Sequence, residues 1–166
     1  MKELYRSITF IILFLFQVLV LNHIHLFNVA TPMLYVIFIL GFERNYPQWA
    51  SLLWSFSLGL AVDVCANTPG AGAATMTALA MVQHYFIELF VPRDAADDFS
   101  IHISTVGIKS YSIYSSILVT AFCLVYFSLE ALSFFNFQQW LLTVVASSLL
   151  TIALVLVVDN LFNRKA

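Results

Sequence analysis

Residues 7–42 read SITFIILFLFQVLVLNHIHLFNVATPMLYVIFILGF, 36 residues without an acid, a lysine or an arginine, framed by Arg6 and Glu43. As one helix this stretch would be about 54 Å long at about 1.5 Å per residue, against a hydrocarbon core of about 30 Å. It has to break, and the polar patch Asn22-His23-Ile24-His25, followed by Asn28 and Thr31-Pro32, is where it breaks. The reading is one span over 4–21 and a second over 31–42. Thr31 would cap the second helix and Pro32 would sit in its first turn, where a missing N–H costs nothing. The second span is short, so it should begin earlier or be shielded by its neighbours.

The rest of the chain has the same character. Of 166 residues, 61% are apolar and 10% charged, and the net charge is −2. In water so much apolar surface would be left exposed, which excludes a soluble monomer and with it most soluble enzyme classes. The charge balance gives no signal for a nucleic-acid partner. The fold class is therefore all-α and integral to a membrane, with the lipid bilayer as its first partner. The opening run is expected to be a retained span, because several equally apolar runs follow and no small-residue cleavage site precedes Pro32. Cys65 and Cys123, with no framework spacing, read as small apolar side chains inside the bundle.

Charge and turn signals mark four more spans: 47–62, opened by Pro47 and ended by Asp63; 69–91, capped by Thr68 and stopped by Pro92; 110–129, ended by Glu130; and 139–158, followed by Asp159. Six spans put every lysine and arginine on one side, with Lys2, Arg6, Arg44, Arg93, Lys109, Arg164 and Lys165 all cytoplasmic. Removing any one span scatters them. Both termini are then cytoplasmic, in a single polytopic domain over 1–166. Tyr5, Tyr46 and Trp49 fall near the inner interface, and Phe134, Phe135, Phe137 and Trp140 near the outer one.

Asp63 is the most informative charge. A carboxylate at the centre of a bilayer costs about 2.5–3.5 kcal/mol, and less near an interface. Two readings stand side by side: a carboxylate that caps the next helix at Thr68-Pro69 or reaches the headgroups, and a fixed polar contact within the bundle or with another membrane protein. Directly after it, Gly70 with Ala74 and Ala74 with Ala78 form small-xxx-small pairs that let helices approach closely. These serve either packing against the third or sixth span or docking of a partner helix.

No catalytic or metal constellation is expected. His84 and Glu88 share a helix face but lack the second histidine and third ligand of a zinc site, and His23 with His25 is no better. Glu88 and Asp159 fall near the cytoplasmic edge, where they can snorkel or pair with Arg93 or Arg164. The loop 92–107, with Arg93, Asp94, Asp97 and Asp98, is either a solvated face or a cytoplasmic contact surface.

Six short helices with almost no mass outside the membrane, and Gly59-Leu60-x-x-Asp63 followed by Asn67-Thr68-Pro69-Gly70, resemble the rod-shape-determining protein MreD family. The opening from Gln17 to Leu21 with its polar turn and Pro32, and Pro92-Arg93-Asp94, are similar too. The resemblance covers the whole length and layout, while its motifs centre on one turn. It implies a non-enzymatic inner-membrane component of the cell-elongation machinery, without a cofactor. The implied partner is the bitopic shape protein MreC and, through it, a peptidoglycan glycosyltransferase, a class B transpeptidase and the actin-like filament protein. It also implies a helical core similar to the substrate-binding subunits of energy-coupling-factor transporters. The partner-binding residues would be Gly59, Asp63, Pro69, Gly70, Ala74 and Ala78, of which Gly59, Asp63 and Pro69-Gly70 match the family's turn. The alternative is a small-molecule (vitamin) uptake subunit, which needs a polar outer pocket and offers Asn22, His23, His25, Asp63, Asn67 and Asn136 for it.

Overall fold

The computed structural model describes residues 2–21, 31–68, 70–91, 99–131 and 136–163. Among them the chain is helical, with one isolated antiparallel bridge between Glu43 and Ser100. The helices are α1 (Lys2–Leu19), a short α2 (Ile37–Leu40) preceded by a 3₁₀ turn (Leu34–Val36), α3 (Gln48–Ala66), α4 (Ala71–Phe90), α5 (Ile103–Ala131) and α6 (Phe137–Asn163). The patch around Asn22, His23, His25 and Asn28 lies outside the described residues. So do Pro69, the acidic run from Arg93 to Asp98, Phe134, Phe135, and Arg164 with Lys165.

Among the described residues, three helices are long and apolar enough to cross a membrane: Gln48–Ala66, Ile103–Ala131 and Phe137–Leu161. Their outward faces carry Leu53, Val64, Ile113, Leu142, Leu149 and Val157, all exposed. Such a belt is stable only in lipid. At about 1.5 Å per residue α1 and α4 are comparable in length to a bilayer core. However, α1 opens with Lys2, Glu3 and Arg6, and α4 carries Gln83, His84 and Glu88.

The main correction concerns residues 31–42. In place of a helix capped by Thr31, residues 31–33 are non-helical, and the helical part is one 3₁₀ turn followed by one α-turn. Met33 to Val36, Phe38 to Leu40 and Phe42 are buried, so the segment is the hub of the bundle. The long helices surround it, packed in the order α1 against α3, α3 against α4, α4 against α5 and α5 against α6. Tyr35 meets Phe122 of α5 edge-on at 5.5 Å, and Phe38 meets Phe10 of α1 at 6.0 Å.

Irregular backbone at membrane depth survives only if its polar groups are bonded inside the protein. Here side chains from two distant helices supply the bonds. Gln17 of α1, only 1% exposed, donates Nε2–H to the carbonyl of Pro32 (3.0 Å) and accepts the N–H of Leu34 (3.0 Å). From α6, Thr151 accepts the N–H of Met33 (3.2 Å) and Ser147 that of Thr31 (3.1 Å).

The other boundaries shift in both directions: α4 (Ala71–Phe90) is shorter at both ends than 69–91, while α3, α5 and α6 are longer than read. α3 continues past Asp63 to Ala66, and α6 runs from Phe137 rather than from 139. α5 starts at Ile103, inside the stretch read as a loop. It bends at Gly107, whose φ of 82° and ψ of 158° suit only glycine.

Candidate functional site

The turn between α3 and α4 is organised by Asp63. α3 ends on Asn67, which takes the left-handed conformation (φ 56°) tolerated by asparagine, and Thr68 N–H bonds back to the Asp63 carbonyl (3.1 Å). α4 then begins after Gly70, a residue with no side chain to cap the open N–H groups. The Asp63 carboxylate does this from the preceding helix. Its Oδ1 accepts from Gly72 N–H (2.9 Å) and from the Thr68 hydroxyl (2.9 Å), and its Oδ2 accepts from Ala73 N–H (2.8 Å). Thr68 therefore bonds the cap rather than serving as the cap itself. With three donors and the positive end of α4 facing it, a carboxylate 3% exposed is tolerated at the bundle end.

Gly59, one turn before Asp63 on the same face, makes that approach possible. A Cβ there would lie 2.7 Å from Ala73 Cα and 2.7 Å from the Gly72 carbonyl oxygen, so the two backbones are in direct contact. Gly72 is equally confined: its Cβ would fall 2.5 Å from Asp63 Oδ1 and 3.3 Å from the Tyr35 hydroxyl. Gly59 and Asp63 thus join Thr68, Gly72, Ala73 and the hub residue Tyr35 in one rigid corner. Tyr35 was not visible from the sequence, since it comes from an element more than twenty residues away.

The remaining candidates lie elsewhere. Gly70, Ala74 and Ala78 are exposed, on the face of α4 turned away from the bundle, while Ala71, Gly72, Ala73, Thr75 and Met76 face inward. The small-xxx-small stripe therefore plays no part in the α3–α4 contact, which uses Gly59 and Gly72. It leaves a smooth strip on the outside, continued by the exposed Met81, Tyr85 and Leu89.

Beside the Asp63 corner is a cavity of about 330 Å³, with Gln17, Thr31, Tyr35, Thr68, Tyr126 and Glu130 among its lining residues. Of the residues offered for an outer pocket, Asn67 and Asp63 border a neighbouring shallow recess with Leu60 and Val64, and Asn22, His23 and His25 lie outside the described residues. The cavity draws instead on the hub and on α5, a convergence that spacing along the chain does not encode.

At the opposite end Asp159 of α6, 4% exposed, accepts Ile103 N–H on Oδ2 (2.8 Å) and meets His102 Nδ1 through Oδ1 (2.9 Å). Arg6 pairs there with Glu3 (2.6 Å) and Glu43 (3.6 Å) and lies 3.8 Å over the Tyr46 ring. Arg44 N–H bonds the Phe99 carbonyl (2.9 Å). Of the two expectations for Asp159, burial replaces snorkelling, while Arg93 and Arg164, its expected partners, lie outside the described residues. The positive N-terminus of α5 draws the carboxylate inward.

Among the described residues no group of three or more His, Cys, Asp or Glu could hold a metal ion. His84 stands edge-on to the Tyr85 ring at 5.9 Å. Compared with known proteins, the chain matches no family model, no curated protein and no solved structure.

Proposed function

We propose that this chain is a non-enzymatic scaffold component of the bacterial cell-elongation machinery, of the MreD type. In this reading it crosses the inner membrane six times with both termini in the cytoplasm, and the end carrying Arg6, Arg44 and Asp159 faces inward. The observation that supports it best is the outward strip of Gly70, Ala74 and Ala78 on a helix held rigid by the Asp63 corner. A strip without side-chain bulk lets a partner helix approach closely, and van der Waals packing of that kind drives association in lipid. The partner would be the single membrane helix of MreC, which would link the scaffold to the glycosyltransferase, the transpeptidase and the cytoplasmic filament. Asp63 and Gly59 would then act indirectly, by fixing where the strip begins.

The test is depletion of the protein in a rod-shaped host, followed by microscopy. Cells are expected to widen and round up. Cells that keep their shape would sink the proposal.

The cavity beside Asp63 favours a second reading, a membrane subunit that binds a small polar solute for uptake. Four hydroxyl groups, an amide and a carboxylate line about 330 Å³, the kind of lining such a subunit needs. Under that reading, depletion leaves shape intact and abolishes uptake of one solute.

A further inference from the structure

The cavity beside the Asp63 corner has a charge bias that its size does not reveal. At about 330 Å³ it has room for a small solute. Its described lining residues include one acid, Glu130, and no lysine, arginine or histidine. The neighbouring chain segments 22–30 and 132–135 contain no lysine or arginine either, and His23 and His25 are their only groups able to carry a positive charge.

Part of the polar lining is already engaged. The Gln17 amide is bonded to Pro32 and Leu34, and the Thr68 hydroxyl donates to Asp63. Two groups differ. Tyr35 is 2% exposed, and among the described residues its hydroxyl has no hydrogen-bond partner. A buried polar group left unpaired is costly, so one that lines a cavity marks a place for a ligand or water. Glu130, in the last turn of α5, has neither an ion-pair nor a hydrogen-bond partner among the described residues. It stands within electrostatic range of both Tyr35 and Tyr126. The rings of Tyr35, Tyr126 and Phe127 make much of the remaining wall, and aromatic faces attract cations rather than anions.

We propose that this cavity binds a small organic solute carrying a protonated primary amine. The ammonium donates to the Glu130 carboxylate and to the Tyr35 hydroxyl oxygen, and the carbon skeleton lies against Met33, Tyr126 and Phe127. An anion would meet an unbalanced carboxylate there, and a neutral solute would leave that carboxylate unpaired. The inference rests on the second reading above, that a solute enters this cavity, and adds the charge that the solute carries.

Cys65 is a built-in reporter for the test, since it is exposed and lines the same cavity, whereas Cys123 is buried. The full chain is placed in phosphatidylcholine nanodiscs and treated with 2-aminoethyl or 2-sulfonatoethyl methanethiosulfonate, each rate being divided by the rate with a free thiol. The ammonium reagent should label Cys65 about tenfold faster than the sulfonate, the worth of one charge-assisted hydrogen bond. Phenylethylammonium should slow that labelling, and phenylethanol should not. Glu130→Gln, at an exposed position, should abolish the difference between the two reagents. Tyr35→Phe, which removes only the hydroxyl, should weaken protection by the amine about fivefold. Leu149→Ala, exposed on α6, should change neither readout. Labelling confined to Cys65 shows that each variant is folded, and the wild-type arms need no variant. Equal rates for the two reagents in the wild type, or an unchanged ratio in Glu130→Gln, would overturn the proposal. Protection by the alcohol as strong as by the amine would overturn the charge and leave a solute site standing. Failure of the uptake reading shows separately, as unchanged solute uptake on depletion. Replacing half of the lipid by phosphatidylethanolamine should leave Cys65 as reactive as before; protection by that lipid would assign the ammonium to a headgroup and overturn the free solute.

Discussion

Asp63 and Asp159 are both buried carboxylates that cap the first turn of another helix, one at each end of the bundle. Asp63 reaches nine and ten residues along the chain and accepts from three neutral donors, two of them backbone N–H groups. Asp159 reaches back more than fifty residues, and one of its partners is an imidazole that is itself partly exposed. The first cap locks a hairpin whose helices touch through Gly59 and Gly72. The second ties the last helix to the start of α5, just before the bend at Gly107. Asp63 should be the stronger of the two, because two of its donors, Gly72 N–H and Ala73 N–H, are buried, whereas the bonds of Asp159 to His102 and Ile103 are only partly buried.

That difference can be broken by experiment. Asp63→Ala leaves Gly72 N–H, Ala73 N–H and the Thr68 hydroxyl without their acceptor, and should cost about 4 kcal/mol, at about 1–3 kcal/mol per buried orphaned group. Unfolding in mixed micelles would measure it. Asp159→Ala should cost less, about 2 kcal/mol, because water can reach the His102 side of that site. If the two losses are equal, enclosure is not what separates the caps. Gly59→Ala falls between them, at about 3 kcal/mol, since the methyl group would push α3 off the backbone of Ala73. The smallest effect on stability should come from Ala74→Leu with Ala78→Leu, within about 0.5 kcal/mol as for other exposed positions. The same pair should abolish copurification with the partner helix, and unchanged copurification would remove the outward strip from the proposed function.

The sequence-derived elements and the observed ones agree where the signal is local. Pro47, the Asn67–Gly70 turn and the charges near Glu130 and Asp159 mark helix ends to within a few residues of α3 to α6. They do so because caps, turns and charges act within one or two helical turns of themselves. The helix-capping reading of Asp63 was within reach for the same reason. The segment 31–42 was misread because it is apolar on every side. Its composition cannot tell a helix facing lipid from a hub surrounded by helices, and the deciding bonds come from Gln17, Ser147 and Thr151, far away in the chain.

The sequence by itself determined that this chain belongs in a membrane, that it is helical, and that its 36-residue uncharged opening must break in two. Hydropathy and length suffice for that, since both are sums over neighbours. Only the tertiary structure decided which side of α4 faces outward, what completes the cavity beside Asp63, and where Asp159 finds its partners. Each of these joins residues from distant elements, and packing selects them by shape and by unmet hydrogen bonds. Neither leaves a period or a spacing in the sequence.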